Sequence, residues 1–175
     1  KTPEGKAILK RLRKAAKPRT AEEEAKVKDH GFRYYAQMRG VTSQSQLDAL
    51  AYLTEGDPHI ADRAITAMLD TLKKTNFGTK NDLSRASGSM LMVGAMVYDW
   101  CYDRMSEGQK REYIREFVRI AGTMECHYPP KNTECVAGHG SEWMILRDML
   151  SCGIAIYDEY PEMYEIVAKM IFRDY

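Results

Sequence analysis

Two segments, Ser87–Tyr102 ("SGSMLMVGAMVYDWCY") and Trp143–Tyr157 ("WMILRDMLSCGIAIY"), constrain the fold of this chain more than any other feature of its sequence. The first holds a single charged residue, Asp99, and the second holds only Arg147 and Asp148. Helices that are apolar on nearly every side are stable only when other elements surround them. We therefore predict that both segments form an inner layer of helices, buried on nearly all faces.

The segments that follow these two, Ser106–Gly122 and Pro161–Tyr175, have a different pattern. Each carries one apolar stripe at helical spacing and one charged face, which is typical of helices at a protein surface. No run shows the period-2 alternation of a half-buried strand. The sequence therefore predicts an all-α fold in which inner apolar helices alternate with outer amphipathic helices. The predicted helices lie at roughly 3–16, 20–38, 44–55, 58–74, 83–104, 107–126, 141–158 and 162–173.

Several predicted helix boundaries carry local signals. Ser106 has Gln109 at the spacing of a capping box, and Pro58 suits the first turn of a helix. Gly40, Gly56 and Gly78 fall in the predicted connections. These connections are short, so neighbouring helices are expected to form antiparallel hairpins.

A degenerate repeat runs through the chain. The stretches "LAYLTEGDP", "MVYDWCYDRMSEGQ" and "IAIYDEYPEM" each join an apolar helix end, a tyrosine, an acidic turn and a new amphipathic helix. The unit is about 45–60 residues long, which is typical of helical-hairpin repeats. We predict one helical domain over residues 1–175, with hairpins in two layers that curve into part of an incomplete α/α toroid or stack as an open solenoid. Because the last helical pattern has no stop signal, we expect the natural chain to continue.

Charge is unevenly distributed, although the formal net charge is only +1. Residues 1–39 hold 12 Lys and Arg against 5 Asp and Glu, and the remainder holds 14 against 20. Such a segment attracts anionic polymers, but charge runs are more often the solvated face of an amphipathic helix. We therefore expect no nucleic-acid partner. No apolar run is long enough to cross a membrane, so we expect no membrane-spanning helix in this sequence.

The four cysteines allow several interpretations. Cys101 and Cys152 lie within apolar helices and are expected to be small core residues. Cys126 and Cys135 flank a proline-rich loop and are able to pair in an oxidising compartment. No standard metal-binding spacing supports a zinc site from the neighbouring cysteines and histidines, which are Cys126, His127, Cys135 and His139.

The stretch "VAGHGSEWMILRDML" carries two titratable residues, His139 and Glu142, at the start of the second apolar helix. The helix dipole favours an ionised Glu142 and burial favours its neutral form, and the sequence leaves this balance open. His139 is expected to be neutral, as a general base requires. The alternative is structural, with Glu142 capping its own helix and His139 filling a loop. Gly138 and Gly140 favour the functional interpretation because they let a ligand approach closely.

Three further residues are candidates for ligand binding. Arg85 is the only cation at the entrance to the first apolar helix, where it would pair with an anionic ligand or with Asp82 or Asp99. Asn132 lies in the "PPKNTEC" loop near the histidine motif and is a candidate hydrogen-bonding group. Trp143 has the ring to stack on a sugar, although tryptophan on an apolar helix is usually part of the core.

The segments "GHGSEWMILRDMLSCGIAIYDEYPEMY" and "VYDWCYDRMSEGQKREYI" resemble the N-terminal helical domain of heparinase II/III-type polysaccharide lyases. The resemblance rests on the His-Gly-Ser-Glu motif, an inner helix that ends in Ile-Tyr-Asp and a Tyr-Asp-Trp-x-Tyr-Asp sequence, in the expected order. It is clearest from about Asn81 to Tyr164. The first 80 residues match only in helical character.

This resemblance implies a lyase that cleaves uronic-acid-containing glycosaminoglycans, such as heparin or heparan sulfate, by β-elimination. It implies an α/α toroid followed by β-sandwich domains, with the substrate in the cleft between them. His139 and Glu142 match active-site residues of the family. A catalytic tyrosine would come from a later helix, and further histidines and a structural zinc from the β region, so we expect this chain alone to be inactive and to hold no cofactor.

The resemblance also implies an acidic polysaccharide as the partner and a periplasmic or secreted location. The sequence does not indicate an oligomeric state. The alternative function is a non-enzymatic helical-repeat scaffold that binds a glycan or a protein on its concave face.

Overall fold

The computed structural model describes residues 32–75, 81–130 and 144–173, together with Pro3, Ala7 and Lys10. In these ranges the chain is helical and contains no strand, which confirms the predicted all-α class. The helices are α1 (Phe32–Glu55), α2 (Pro58–Lys74), α3 (Asn81–Trp100), α4 (Glu107–Thr123), α5 (Leu150–Ala155) and α6 (Glu162–Arg173). A 3₁₀ turn (Tyr102–Arg104) precedes α4, and a π-helical turn (Met144–Met149) leads directly into α5.

Helix α3 lies at the centre of the described structure. It contacts α1, α2, α4, α5 and the π-helical turn, and no residue from Gly88 to Tyr98 is exposed. Phe117 of α4 packs so closely that a Cβ added to Gly94 would lie 2.7 Å from its ring. The prediction of an inner helix in this segment is therefore confirmed.

The second apolar segment is less enclosed than predicted. Cys152 and Ile156 are fully buried, but the side chains of Ile154 and Tyr157 remain 59% and 47% exposed. The reason is that α5 packs against α3 on one side and α6 on another, and no other described element covers its remaining face. The prediction that this segment is buried on nearly all faces is therefore wrong.

The outer helices follow their predicted amphipathic pattern. Helix α4 buries Tyr113, Phe117 and Ile120, and α6 buries Met163 and Val167 among others, while their charged residues are mostly at the surface. The buried hydroxyl of Tyr113 donates a hydrogen bond to the carbonyl of Ile65, 2.8 Å away, and so ties α4 to α2. The alternation of inner and outer helices holds for this part of the chain.

Capping residues, proline and glycine correctly predict several helix boundaries, and Gly40 predicts one that the structure does not have. Ser106 and Gln109 form the predicted capping box, and Pro58 lies at the start of α2 behind the N-cap Asp57. Gly56 connects α1 to α2 with a φ of 74°. Gly40, however, lies inside α1, so the predicted break between residues 38 and 44 is wrong. A helical glycine costs only about 1 kcal/mol, and the packing of α1 along α2 and α3 outweighs it.

The tyrosines and acids of the repeated turns are linked to one another. Tyr52 of the first turn donates a hydrogen bond to Asp103 of the second, with 2.6 Å between the oxygens. Tyr102 of the second turn donates to Glu159 of the third over the same distance. The linked residues are 51 and 57 positions apart, which agrees with the predicted length of the repeat. The connections Gly56 and Tyr102–Arg104 therefore lie at one end of the helix bundle.

We expect Tyr102→Phe to lower the free energy of unfolding by about 1 kcal/mol, because the variant loses a hydrogen bond to a charged acceptor. Denaturant unfolding measures this change. The matched test repeats the substitution in a Glu159→Met background, where the loss should shrink because the acceptor is already absent. Equal losses in both backgrounds would contradict the link between the turns.

None of the helices in the described ranges combines the length and the apolar character that a membrane crossing requires.

Candidate functional site

Most residues of the predicted site lie outside the part of the chain that the structure describes. His139, Glu142, Asn132 and Trp143 lie outside the described residues. Arg85 is on the first turns of α3, and its side chain also lies outside the described part. What the structure does describe is the turn that directly follows the histidine motif and its contact with α3.

The π-helical turn holds an ion pair against α3. Asp148 is fully buried, and its Oδ1 accepts a hydrogen bond from Nε of Arg147 at 2.5 Å. Arg147 also donates from Nη2 to the hydroxyl of Ser89 on α3, at 3.3 Å. These contacts fix the start of the second inner helix to the first one.

Gly88 makes room for the carboxylate of Asp148. A Cβ added to Gly88 would lie 1.9 Å from Oδ2 and 2.8 Å from Cγ of Asp148. The absence of a side chain at this position is therefore what allows α3 and the π-helical turn to approach so closely. Oδ2 itself has no hydrogen-bond partner among the residues that the structure describes.

The environment of Asp148 shifts its protonation equilibrium. Burial raises the pKa of this carboxyl to about 6, against the opposing effect of the hydrogen bond and the charge of Arg147. Removal of a carboxylate from water favours its neutral form, and one ion-pair partner compensates only in part. Asp148 is therefore a group that gains and loses a proton close to neutral pH.

The π-helical turn is a second feature that the sequence did not reveal. Residues Met144–Met149 adopt this geometry where an α-helix was predicted. Such turns are rare and frequently occur at functional sites, because the wider turn rotates the residues that follow it. Two sequence features could have indicated this contact. Asp148 is the only carboxylate in an apolar helical segment, and Gly88 and Ser89 are small residues in the other apolar segment.

The structure describes three of the four cysteines. Cys101 and Cys152 are fully buried, as predicted for core residues. Cys126 is buried as well, but Cys135 lies outside the described residues, so their pairing stays a prediction. Within the described ranges, no group of three or more His, Cys, Asp or Glu side chains has an arrangement suited to a metal ion.

No protein-family model matches the chain, and the comparison with curated proteins finds no match either.

Proposed function

We propose that this chain is the helical part of a heparinase II/III-type polysaccharide lyase and supplies one wall of its active-site cleft. The observation that carries the proposal is the contact of Arg147 and Asp148 with Gly88 and Ser89. It holds the helix that follows the His-Gly-Ser-Glu motif against α3, the helix that bears Arg85. A close contact of this kind between the two helices would help to position catalytic groups.

The proposed reaction is β-elimination at a uronic acid. His139 takes the proton from C5, and the electron pair of the C5–H bond forms the C4–C5 double bond. The bond from C4 to the glycosidic oxygen breaks with its electron pair passing to that oxygen, which takes a proton from the catalytic tyrosine that the family implies or from water and leaves as a hydroxyl group. The neighbouring carboxylate of the substrate resists further negative charge, so it must be neutralised or hydrogen-bonded. A protonated Glu142 would donate that hydrogen bond.

The remaining candidates would bind the polymer. Arg85 would pair with a sulfate or a carboxylate, in the bidentate geometry that a guanidinium offers. Asn132 would hydrogen-bond to the sugar, and Trp143 would stack on its ring. No cofactor is proposed for this chain, and a structural zinc would belong to the β region that the family implies.

For the architecture, we propose that the helical hairpins form part of an incomplete α/α toroid that precedes β-sandwich domains. The links from Tyr52 to Asp103 and from Tyr102 to Glu159 support this arrangement, since each connects one turn of the repeat to the next. The location proposed for such an enzyme is the periplasm or the extracellular space, where its acidic polysaccharide substrate occurs.

The test is the ultraviolet absorbance of unsaturated uronate when the longest natural form of the protein is incubated with heparin, heparan sulfate or alginate. We expect the absorbance to rise for the wild type and His139→Ala to lower the rate by at least about 100-fold, the typical contribution of general-base catalysis. The matched control is His59→Ala, which changes an exposed histidine on α2. Equal rates for both variants would remove His139 from the mechanism.

The alternative is a helical-repeat scaffold that binds a glycan or a protein without catalysis. The exposed side chains of Ile154 and Tyr157 favour it, because apolar and aromatic surface on an inner helix suits a binding face. A folded protein that binds a polymer and yields no unsaturated uronate would establish this alternative.

A further inference from the structure

One side of the hairpin formed by α5 and α6 exposes apolar and aromatic side chains. Ile154 and Tyr157 are exposed, and Tyr157 packs edge-on against Tyr164 of α6 with 5.3 Å between the ring centroids. Along α6, Tyr164, Ala168 and Phe172 follow one another at a spacing of four residues, so they lie on the same side of the helix. These five residues form one continuous surface, the hairpin face.

The hairpin face has a projection at one end and a depression at the other. Phe172, near the C-terminal end of α6, is 81% exposed. Ile154, Tyr157 and Tyr164 form the apolar side of a shallow groove at the N-terminal end of α6. Tyr164 and Phe172 are eight residues apart, which corresponds to about 12 Å along the helix. The projection therefore has a matching depression on an identical face that is turned through 180°, which is the geometry of a two-fold dimer.

Charge is distributed along α6 in a way that favours the same arrangement. Glu162 and Glu165 lie in the first turns of the helix, and Asp158 is exposed just before it. Lys169 and Arg173 lie in its second half. Two α6 helices that pack antiparallel bring the acidic end of each next to the basic end of the other. A parallel arrangement would instead place like charges side by side.

Ala168 occupies the middle of the hairpin face, between Tyr164 and Phe172. A small side chain at the point where two helices cross allows their axes to approach closely. With this crossing point, Tyr164 of one copy lies opposite Phe172 of the second copy. Glu165 then lies within about 3 Å, measured along the helix axis, of Lys169 of the second copy. Shape and charge thus select the same register.

We propose that the hairpin face binds the same face of a second copy of the chain about a two-fold axis near Ala168. Phe172 of each copy lies against Ile154 and Tyr157 of the other, and Glu165 of each pairs with Lys169 of the other. Because α6 has only 12 residues, the contact is smaller than the roughly 800 Å² per partner that a stable dimer buries. The dimer is therefore weak. The proposal does not depend on lyase activity, which is assigned to other residues.

The first experiment is sedimentation velocity of the 175-residue chain between about 1 µM and about 1 mM. We expect the wild type to change from monomer to dimer over this range. Phe172→Ser should raise the dissociation constant at least about tenfold, because it removes the aromatic anchor of the contact. The matched control is Leu53→Ser, which changes an exposed apolar side chain on α1 and should leave the dissociation constant unchanged. Circular dichroism establishes that both variants are folded.

The second experiment tests the antiparallel register with the variants Glu165→Lys and Lys169→Glu. Each variant alone should dimerise about fivefold more weakly or worse at about 50 mM salt, because like charges then meet at both ends of the contact. An equimolar mixture of the two variants should restore dimerisation, because every lysine then faces a glutamate. The matched control is Asp70→Lys, which changes an exposed charge on α2 and should have no effect.

Three results would overturn the proposal. A wild type that stays monomeric at about 1 mM would exclude a second copy as the occupant. Dimerisation that is equally strong in Phe172→Ser and Leu53→Ser would place the contact elsewhere, and weak dimerisation of the charge variants that mixing does not restore would exclude the two-fold register. A longer natural form that stays monomeric where the 175-residue chain dimerises would show that another segment of the same protein covers the hairpin face.

Discussion

We expect Gly88→Ala to lower the free energy of unfolding by about 3 kcal/mol. The new methyl group would lie 1.9 Å from Oδ2 of Asp148, so either α3 or the π-helical turn must move. Overpacking of a close contact typically costs 1–3 kcal/mol, and here the displaced group is a buried carboxylate that is tied to Arg147. Denaturant unfolding followed by circular dichroism measures the change.

The matched control is Gly122→Ala on α4, where nothing lies within 4 Å of the added Cβ. This substitution should stabilise the protein by about 0.5–1 kcal/mol, because alanine is the better helix former. Asp148→Ala should remove most of the cost of Gly88→Ala, since the group that clashes is then absent. A stabilising or neutral Gly88→Ala would contradict the close approach of the two inner helices.

The second large effect concerns Asp148 and pH. The pKa of this carboxyl is about 6 in the folded protein, above the 3.8 of an exposed aspartate, so ionisation costs more in the folded state than in the unfolded chain. Its contribution to stability is complete below about pH 4 and is lost as the pH rises through 6. The shift corresponds to about 3 kcal/mol. We expect the stability of the wild type relative to Asp148→Asn to fall by this amount between pH 4 and pH 8.

Urea unfolding of both proteins at several pH values measures this difference, and the contributions of the other acids cancel in it. Arg147→Met sharpens the test, because the charge of Arg147 lowers the pKa of Asp148 and its removal should move the loss of stability to higher pH. Parallel stability curves for the wild type and Asp148→Asn would show that the carboxyl titrates alike in the folded and the unfolded chain.

The sequence predicts those parts of the fold that periodicity and capping determine. The uninterrupted apolar composition around Met90–Val97 requires enclosure on all sides, and the structure encloses it. The capping box of Ser106 depends only on residues three positions apart, so it is visible in the sequence. The amphipathic faces of α4 and α6 follow from the helical period in the same way.

Features that depend on contacts between distant segments were not predictable. Gly40 predicted a break between two helices, but α1 continues through it because the helix packs along its neighbours. The apolar segment around Ile154 predicted burial, but none of the described elements covers this side chain. The carboxylate of Asp148 occupies the space next to Gly88, which lies 60 positions away in the sequence. Neither segment alone indicates this contact. The tyrosines of the repeated turns were visible as a pattern, but their acidic partners across the turns were not.

The candidate site was predicted from its motif, and the structure describes the residues that follow the motif in the sequence. The histidine motif and Trp143 lie outside the described residues, so their roles in catalysis and binding remain proposals. The structure adds the ion pair of Arg147 and the buried Asp148, which lies in the π-helical turn that follows the motif in the sequence.

The central claim, elimination at a uronic acid, is tested most directly by the masses of the products. The longest natural form of the protein is incubated with a heparan sulfate oligosaccharide of one defined length, and the fragments are weighed by mass spectrometry. Elimination consumes no water, so we predict pairs of fragments whose masses sum to that of the intact oligosaccharide. Pairs that sum to the oligosaccharide plus one water would demonstrate hydrolysis, and that result, or an intact oligosaccharide, would contradict the lyase assignment.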